Sequence, residues 1–429
     1  MELRKRKKFR PRKPDAKLLE LYRGRMEKRL LLEFDDVEPQ SKKMPAAAQA
    51  EFQRRVIRGL HALGRGPFKG DIALELRLAT TRRSAPQAHT IAKNLLDLLW
   101  RPAKELGEPA PALLYVDDRQ IHALSVSCVH GEETPNITIG ARSMSAFLHD
   151  LALASTAERE LETDDPAFQY ERGSAHEDMR HFRDLIDNEA AHRARLGNAL
   201  YDAFLKMSRW STQQAVLAQA SVTPASLAML FDVPKTGIAT PFPAMWNDMI
   251  QNSSLRMHVG ELPTKSGEAA LFKQRVEASV ADFKRRWDWL ISPLVVPVAL
   301  QVVVRPSPDT PKGVLHDLDN IVRDYLLPRI IPTFGTVSDH RWLIDFEEMR
   351  RRDPQAAAWL GENPAPPKGT RSGVTRYEAW RLPPAKEGQG GFVSAAIVLD
   401  NAVTEDVFGQ IDRHIDKWAE SLASDRSNW

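Results

Sequence analysis

The chain has 429 residues, of which 42% are apolar and 27% are charged, which predicts two or three folded domains rather than a disordered protein. Its single cysteine excludes a disulfide scaffold and a multi-cysteine zinc site. The longest apolar run, at 294–304, is interrupted by Gln301 and is too short to span a bilayer, and the basic N-terminus lacks the apolar stretch of a signal peptide. We therefore expect a cytoplasmic protein with no membrane partner.

The charge of the chain is unevenly distributed. The formal net charge is +3, but residues 1–13 alone carry a net charge of +7, which leaves −4 on the rest. A basic arm on a slightly acidic body suits a polyanionic partner, because lysine and arginine displace counterions from phosphates. A solvated, solubilising tail is the alternative interpretation. The basic residues of the arm are Arg4, Lys5, Arg6, Lys7, Lys8, Arg10, Arg12 and Lys13.

Hydrophobic patterning predicts two α/β segments separated by a mainly helical one. The elements predicted for the first segment are a helix at 52–63, a strand at 71–80, a helix at 89–106 and strands at 112–129 and 137–141. Those predicted for the last segment are a strand from 294, a helix near 320–331, a proline-rich loop at 362–369, a strand pair around 383–391 and a closing helix at 404–423. The predicted units are 1–43 (arm and lead-in), 44–142, 143–270 (helical insert) and 271–429.

The first and last segments resemble each other. FQRRV at 52–56 matches FKQRV at 272–276, and the segment 66–78 matches 292–304 with Ala73 over Ala299. HTIAKNLL at 89–96 matches DNIVRDYL at 319–326, and YVDDRQI at 115–121 matches TVSDHRW at 336–342. Because four matches occur in the same order, we interpret the chain as two copies of one α/β unit.

The sequence HDLDN at 316–320 is the sharpest local feature. In an extended segment, Asp317 and Asp319 project to the same side, and divalent cations relieve the repulsion between close carboxylates. Asp339 follows after a helix and a turn, where the chain can return to the pair. Arg323, one helical turn after Asp319, could hold a phosphate oxygen. The alternative is a helix N-cap at Asp319 with a solvated neighbour.

HDLDNIVR followed by VSD resembles the signature of RusA-type Holliday-junction resolvases, and LLYVDDRQIHAL at 113–124, preceded by KNLLDLL at 93–99, resembles its other part. The resemblance implies an α+β fold in which two RusA-like units form an internal pseudodimer. It implies Mg²⁺ ligands at Asp317, Asp319 and Asp339, with Asn320 in support. It places Arg323, as a catalytic residue, where the family usually has lysine, which is a better proton donor than arginine.

Both copies depart from the family pattern. The first has Gln87, Ala88, His89 and Thr90 in place of the DxDN motif, although it keeps Lys93, Asp117 and Asp118. We therefore interpret Asp117 and Asp118 as a vestigial site; the alternative is that they complete the site of the second copy. The second copy has Pro328 in its helix and Ser338 in place of the first aspartate of the DD pair.

The resemblance implies a Mg²⁺-dependent endonuclease, with Mn²⁺ as an alternative cofactor, that cuts or nicks branched DNA such as Holliday junctions. Lys93 and the basic arm would contact phosphates. Two other functions stay open: an inactive nucleic-acid-binding protein, and a structural subunit of a phage-derived or defence assembly that docks a protein partner through 143–270. RNA as the substrate also stays open. The oligomeric state stays open between a monomeric pseudodimer and a higher oligomer.

Overall fold

The computed structural model describes most of the chain between residues 13 and 427. The described ranges are 13–40, 44–82, 87–107, 113–164, 175–233, 250–251, 253–311, 315–334, 351, 354–355, 358, 374–400 and 405–427. Three predicted features lie outside these ranges: the arm up to Arg12, the carboxylate of Asp339, and the proline-rich loop at 362–369.

One mixed sheet forms the centre of the described structure. Its strands are β1 (Leu30–Asp35), β2 (Ile72–Thr80), β3 (Ile121–His130), β4 (Asn136–Ser143), β5 (Met257–Gly260), β6 (Val298–Arg305), β7 (Val374–Arg381) and β8 (Phe392–Leu399). They lie in the order β1-β4-β2-β3-β7-β6-β8-β5.

Helices cover the sheet. Those of the first part are α1 (Lys13–Met26), α2 (Ala46–Ala62), α3 (Ala88–Leu98), α4 (Met144–Asp164), α5 (Ala175–Asp187), α6 (Glu189–Leu196), α7 (Asn198–Ala220) and α8 (Pro224–Leu230). Those of the second part are α9 (Ala269–Ile291), α10 and α11 (Val407–Ser427). Helix α10 has three consecutive segments, which are an α-helical turn (Leu318–Asn320), a π-helical stretch (Ile321–Leu326) and an α-helix (Leu327–Phe334).

The two halves of the sheet have the same strand order. In the first half the outer pairs β1–β4 and β4–β2 are antiparallel, and the inner pair β2–β3 is parallel. In the second half the outer pairs β5–β8 and β8–β6 are antiparallel, and the inner pair β6–β7 is parallel. Strand β2 shifts register just before Ala73, and β6 shifts register just before Ala299, which the sequence comparison aligns. The mixed α/β architecture confirms the α+β class. The internal duplication stays a prediction, and this matched topology is what it would produce.

Alternation along the strands directs side chains into two hydrophobic cores, one on each face of the sheet. On β2, Leu74 and Leu76 pack into the core formed with α2, α3, α9 and α10, whereas Ala73 packs into the core formed with α1, α4, α8 and α11. The halves join where β3 pairs antiparallel with β7, as in the register of Ala123 with Trp380. The start of β3 and the end of β7 therefore lie at the same edge of the sheet.

Three predicted elements differ from the structure. The helix predicted at 89–106 ends at Leu98, since Pro102 follows closely and disfavours a helical residue before it. The strand predicted at 112–129 begins only at Ile121, because a 3₁₀ turn precedes it. Strand β5 lies inside the predicted helical insert; its four residues are too few to give a periodic signal.

None of the helices in the described ranges combines the length and apolar character that crossing a membrane requires.

Candidate metal centre

Three aspartates from the two halves of the chain meet at the sheet edge where β3 begins and β7 ends. They are Asp117 and Asp118, just before β3, and Asp317, just before α10. One carboxylate oxygen from each lies within 4.8 Å of the others. Asp118 is buried, and the other two are partly exposed. The two sequence motifs, 200 residues apart, thus form one cluster.

Hydrogen bonds of the VDDRQI segment hold the Asp117 carboxylate and the turn that carries Asp118. Asp117 caps the 3₁₀ turn Asp118–Gln120 by accepting from the backbone N–H of Arg119 at 2.9 Å. The Gln120 side chain accepts from the N–H groups of Val116 and Asp117 and donates to the carbonyl of Gly70 at 2.8 Å. The turn is therefore attached to the loop that precedes β2.

Asp317 occupies the N-cap position of α10, but its carboxylate makes no capping hydrogen bond. It accepts instead from the side-chain amide of Asn320 at 2.7 Å. This bond orients the carboxylate toward the aspartates of the first half. The sequence prediction assigned Asn320 a supporting role for the metal ligands, and that role stays a prediction.

Lys93, on α3, faces three carboxylates. Its Nζ lies 3.6 Å from Asp118 Oδ2, 3.4 Å from Asp319 Oδ2 and 3.3 Å from Asp97 Oδ1. Burial alone would lower the pKa of Lys93, but the carboxylates of Asp319, Asp97 and Asp118 raise it. Lys93 is therefore a cation that partly neutralises the cluster. The phosphate contact that the sequence suggested for it stays a prediction.

Asp319 lies beneath the cluster rather than within it. Its residue surface is only 2% exposed, and its Oδ2 lies 3.4 Å from Lys93 Nζ. Burial raises its pKa, while the nearby ammonium of Lys93 lowers it. Asp319 was predicted as a metal ligand together with Asp317, but the structure directs the carboxylate of Asp319 to Lys93.

Burial and neighbouring charges shift the pKa values of the carboxylates in opposite directions. Burial raises the pKa of Asp317 to about 7, with further contributions from the neighbouring carboxylates of Asp118 and Asp319 and a hydrogen bond to Asp118. In contrast, the hydrogen bond from the Arg119 side chain lowers the pKa of Asp117. Without a bound cation, ionising Asp317 at pH 8 therefore opposes folding.

We expect Asp317→Asn to raise the free energy of unfolding of the metal-free protein at pH 8. Because the pKa of Asp317 is higher in the folded than in the unfolded protein, the free energy of unfolding of the wild type falls as the pH rises from about 4 through about 7. The gain should shrink toward pH 4. Urea unfolding in EDTA at both pH values measures it, and equal stability of variant and wild type at pH 8 would contradict the electrostatic account.

The donor atoms of the cluster suit a hard divalent cation. Mg²⁺ takes oxygen ligands in an octahedron at about 2.1 Å, so two ligands of one ion lie at most about 4.2 Å apart. Adjacent ligands of such an ion lie about 3.0 Å apart, and at most one pair among three ligands is opposite. The oxygens of the three aspartates, within 4.8 Å of one another, therefore need to approach by at most about 1.8 Å. The residues that could hold the ion are therefore Asp117, Asp118 and Asp317.

The other sequence-predicted site residues are not in this cluster. Arg323 binds its neighbour Asp324, with Nε and Nη2 at 2.6 and 2.7 Å from the two carboxylate oxygens. Asp339 and the arm up to Arg12 lie outside the described residues, and Lys13 begins α1. Sequence reasoning missed Arg119, which binds Asp117 through Nη2 at 2.7 Å. It also missed Arg381, at the end of β7, which binds the backbone carbonyl of Arg119 beside the cluster.

Comparison of the chain with protein-family models, with curated proteins and with solved structures found no match.

Proposed function

We propose that this protein is a Mg²⁺-dependent endonuclease that hydrolyses phosphodiester bonds in branched DNA, with its centre formed by both halves of the chain. The observation that carries the proposal is the convergence of Asp117 and Asp118 from one half with Asp317 from the other. Mn²⁺ is an alternative cation of the same ligand preference. The resemblance of the two motifs to RusA-type resolvases supports DNA as the substrate.

A bound Mg²⁺ would supply a Lewis acid that neutralises phosphate charge and lowers the pKa of a coordinated water. Asp117, Asp118 and Asp317 would hold it, and Asn320 orients Asp317. Lys93 and Arg119 limit the repulsion among these carboxylates when the cation is absent. Arg119, with its side chain 43% exposed, can turn from Asp117 to a substrate phosphate once Asp117 binds the cation.

The number of metal centres in one chain determines how many DNA strands that chain can cut in one encounter. The described residues contain one three-carboxylate group that could hold a metal. In the first copy, Gln87 and His89 stand where the second has Asp317 and Asp319. We therefore expect one cut per bound junction, so that the product of a single encounter is a nicked junction.

Cleavage of end-labelled four-way junction, flap and linear duplex DNA tests the proposal. We expect wild type to nick the branched substrates with Mg²⁺ or Mn²⁺ and to be inactive in EDTA. Asp117→Asn with Asp118→Asn should abolish cleavage, because it removes the ligands from the first half. The matched control is Asp202→Asn, which should retain full activity, since Asp202 is a half-exposed aspartate on α7 bound to Arg193.

Each other outcome assigns a different function. Junction binding by a folded wild type without cleavage would contradict the endonuclease and indicate a nucleic-acid-binding protein. If the wild type neither binds nor cleaves junctions, a role as a subunit of a larger assembly would be favoured. Equal cleavage of single-stranded RNA would change the substrate class while leaving the centre intact. Retention of cleavage in the double variant would contradict the assignment of the ligands.

Deletion of residues 2–12 should weaken DNA binding without changing the maximal cleavage rate. The segment carries seven lysine and arginine residues. If all seven contact phosphates, the slope of log affinity against log salt concentration should fall by about 6. Fluorescence anisotropy at several salt concentrations measures the slope, and an unchanged slope would show that the arm does not contact DNA.

A further inference from the structure

Arg381 ends the central strand β7 and is buried beside the carboxylate cluster. Its residue surface is 2% exposed, although arginine rarely lies so deep without partners. Burial lowers its pKa to about 10, which still leaves the side chain cationic at neutral pH. Nothing in the sequence motifs points to this residue.

The guanidinium of Arg381 binds the backbone of both aspartate loops. Its Nη1 donates to the carbonyl of Arg119 at 2.6 Å, and its Nη2 donates to the carbonyl of His316. Arg119 directly follows Asp118, and His316 directly precedes Asp317. One planar group therefore connects the loop of the first half to the loop of the second, next to the aspartates that each contributes.

We propose that Arg381 is the positioning residue of the composite centre: by binding the carbonyls of Arg119 and His316 together, it sets the separation between Asp118 and Asp317. This inference rests on the proposed function, since Arg381 sets the geometry of the same aspartate cluster. Arg381 acts through the two loops and has no described contact with the ligand oxygens.

Arginine suits this position better than lysine. Its guanidinium presents donors in a fixed fork, so two carbonyls are bound at once and at a defined spacing. An ammonium on a flexible stem keeps the charge but does not fix that spacing. The loops would then separate under the repulsion between Asp118 and Asp317, although one octahedral ion needs their oxygens to lie within about 4.2 Å of each other.

Binding of Mn²⁺ to the full-length protein, measured by the electron paramagnetic resonance of the free ion at pH 8, tests this role without requiring DNA. We expect Arg381→Lys to weaken Mn²⁺ binding at least tenfold while remaining folded. Arg256→Lys is the matched control: Arg256 is also buried, donating to Ser394 Oγ and to the carbonyl of Ala220, but none of its described contacts is with the cluster. It should lower stability and leave Mn²⁺ affinity within twofold of wild type.

Cleavage kinetics give a readout that loss of stability does not imitate. For Arg381→Lys we expect the Mn²⁺ concentration at half-maximal rate to rise at least tenfold, while saturating Mn²⁺ restores most of kcat. Arg256→Lys should show no such shift in its metal requirement. Recovery by excess metal would identify a centre whose ligands are intact but poorly spaced.

Each remaining outcome would overturn the inference. If wild type and Arg381→Lys bind Mn²⁺ equally, the ligands do not depend on Arg381, and the proposed function survives. If wild type binds no Mn²⁺, the positioning role and the proposed function both fail. If Arg381→Lys does not fold while Arg256→Lys does, Arg381 serves folding in general rather than the spacing of the two loops.

Discussion

Replacing Asp317 by asparagine should lower the rate of metal-dependent cleavage of a four-way junction by a factor of about 10³ or more. The substitution preserves the shape of the side chain and its contact with Asn320 but removes a charged ligand. A loss of that size corresponds to about 4 kcal/mol of transition-state stabilisation, typical of a group that holds a catalytic cation. Single-turnover cleavage at saturating protein measures it.

Junction binding should be retained in the same variant. Because Asp317→Asn removes negative charge, we expect its affinity for DNA in EDTA to equal or exceed that of wild type. Asp202→Asn again serves as the control for an aspartate outside the cluster. Cleavage by Asp317→Asn within tenfold of wild type would contradict a centre built on both halves of the chain.

The affinity for Mn²⁺ should depend on pH with a midpoint near 7. The pKa of Asp317 is raised to about 7, mainly by burial and then by the carboxylates of Asp118 and Asp319, and the cation binds only the ionised form. Below pH 7, the affinity should rise by up to about tenfold per pH unit, with about one proton released per ion, and above pH 8 it should level off. Calorimetric titration in two buffers measures affinity and proton release.

The variant Asp118→Asn tests the cause of that midpoint. It removes one of the like charges that raise the pKa of Asp317, so the midpoint of its remaining Mn²⁺ binding should move below 7. A wild-type affinity that is flat from pH 5 to 8 would show that Asp317 does not control binding. A midpoint that Asp118→Asn leaves unchanged would show that the charge of Asp118 does not raise the pKa of Asp317.

Local sequence patterns were sufficient to predict much of the fold. The alternation of Ile72, Leu74, Leu76 and Leu78 predicts a strand with one apolar face, and the structure has β2 over Ile72–Thr80. The internal matches placed Ala73 over Ala299, which lie at equivalent register shifts in the two halves. These features follow from short-range chemistry, so a single sequence contains them.

The site was harder to predict, because its geometry depends on pairing between distant strands. The HDLDN and VDDRQI motifs identified Asp317, Asp117 and Asp118, but only the antiparallel pairing of β3 with β7 brings them to one sheet edge. Their convergence was one of two alternatives that the sequence left open. No sequence motif points to Arg381, because its partners are the backbone carbonyls of Arg119 and His316. Those contacts exist only after the halves have joined.

The most direct test of the account is the position of a bound cation. A crystal structure with Mn²⁺, and its anomalous scattering, would locate the ion independently of any assay of activity. We predict one strong peak about 2 Å from an oxygen of each of Asp117, Asp118 and Asp317. The absence of a peak at these three carboxylates at millimolar Mn²⁺, or a peak that contacts aspartates of only one half, would contradict a composite metal centre.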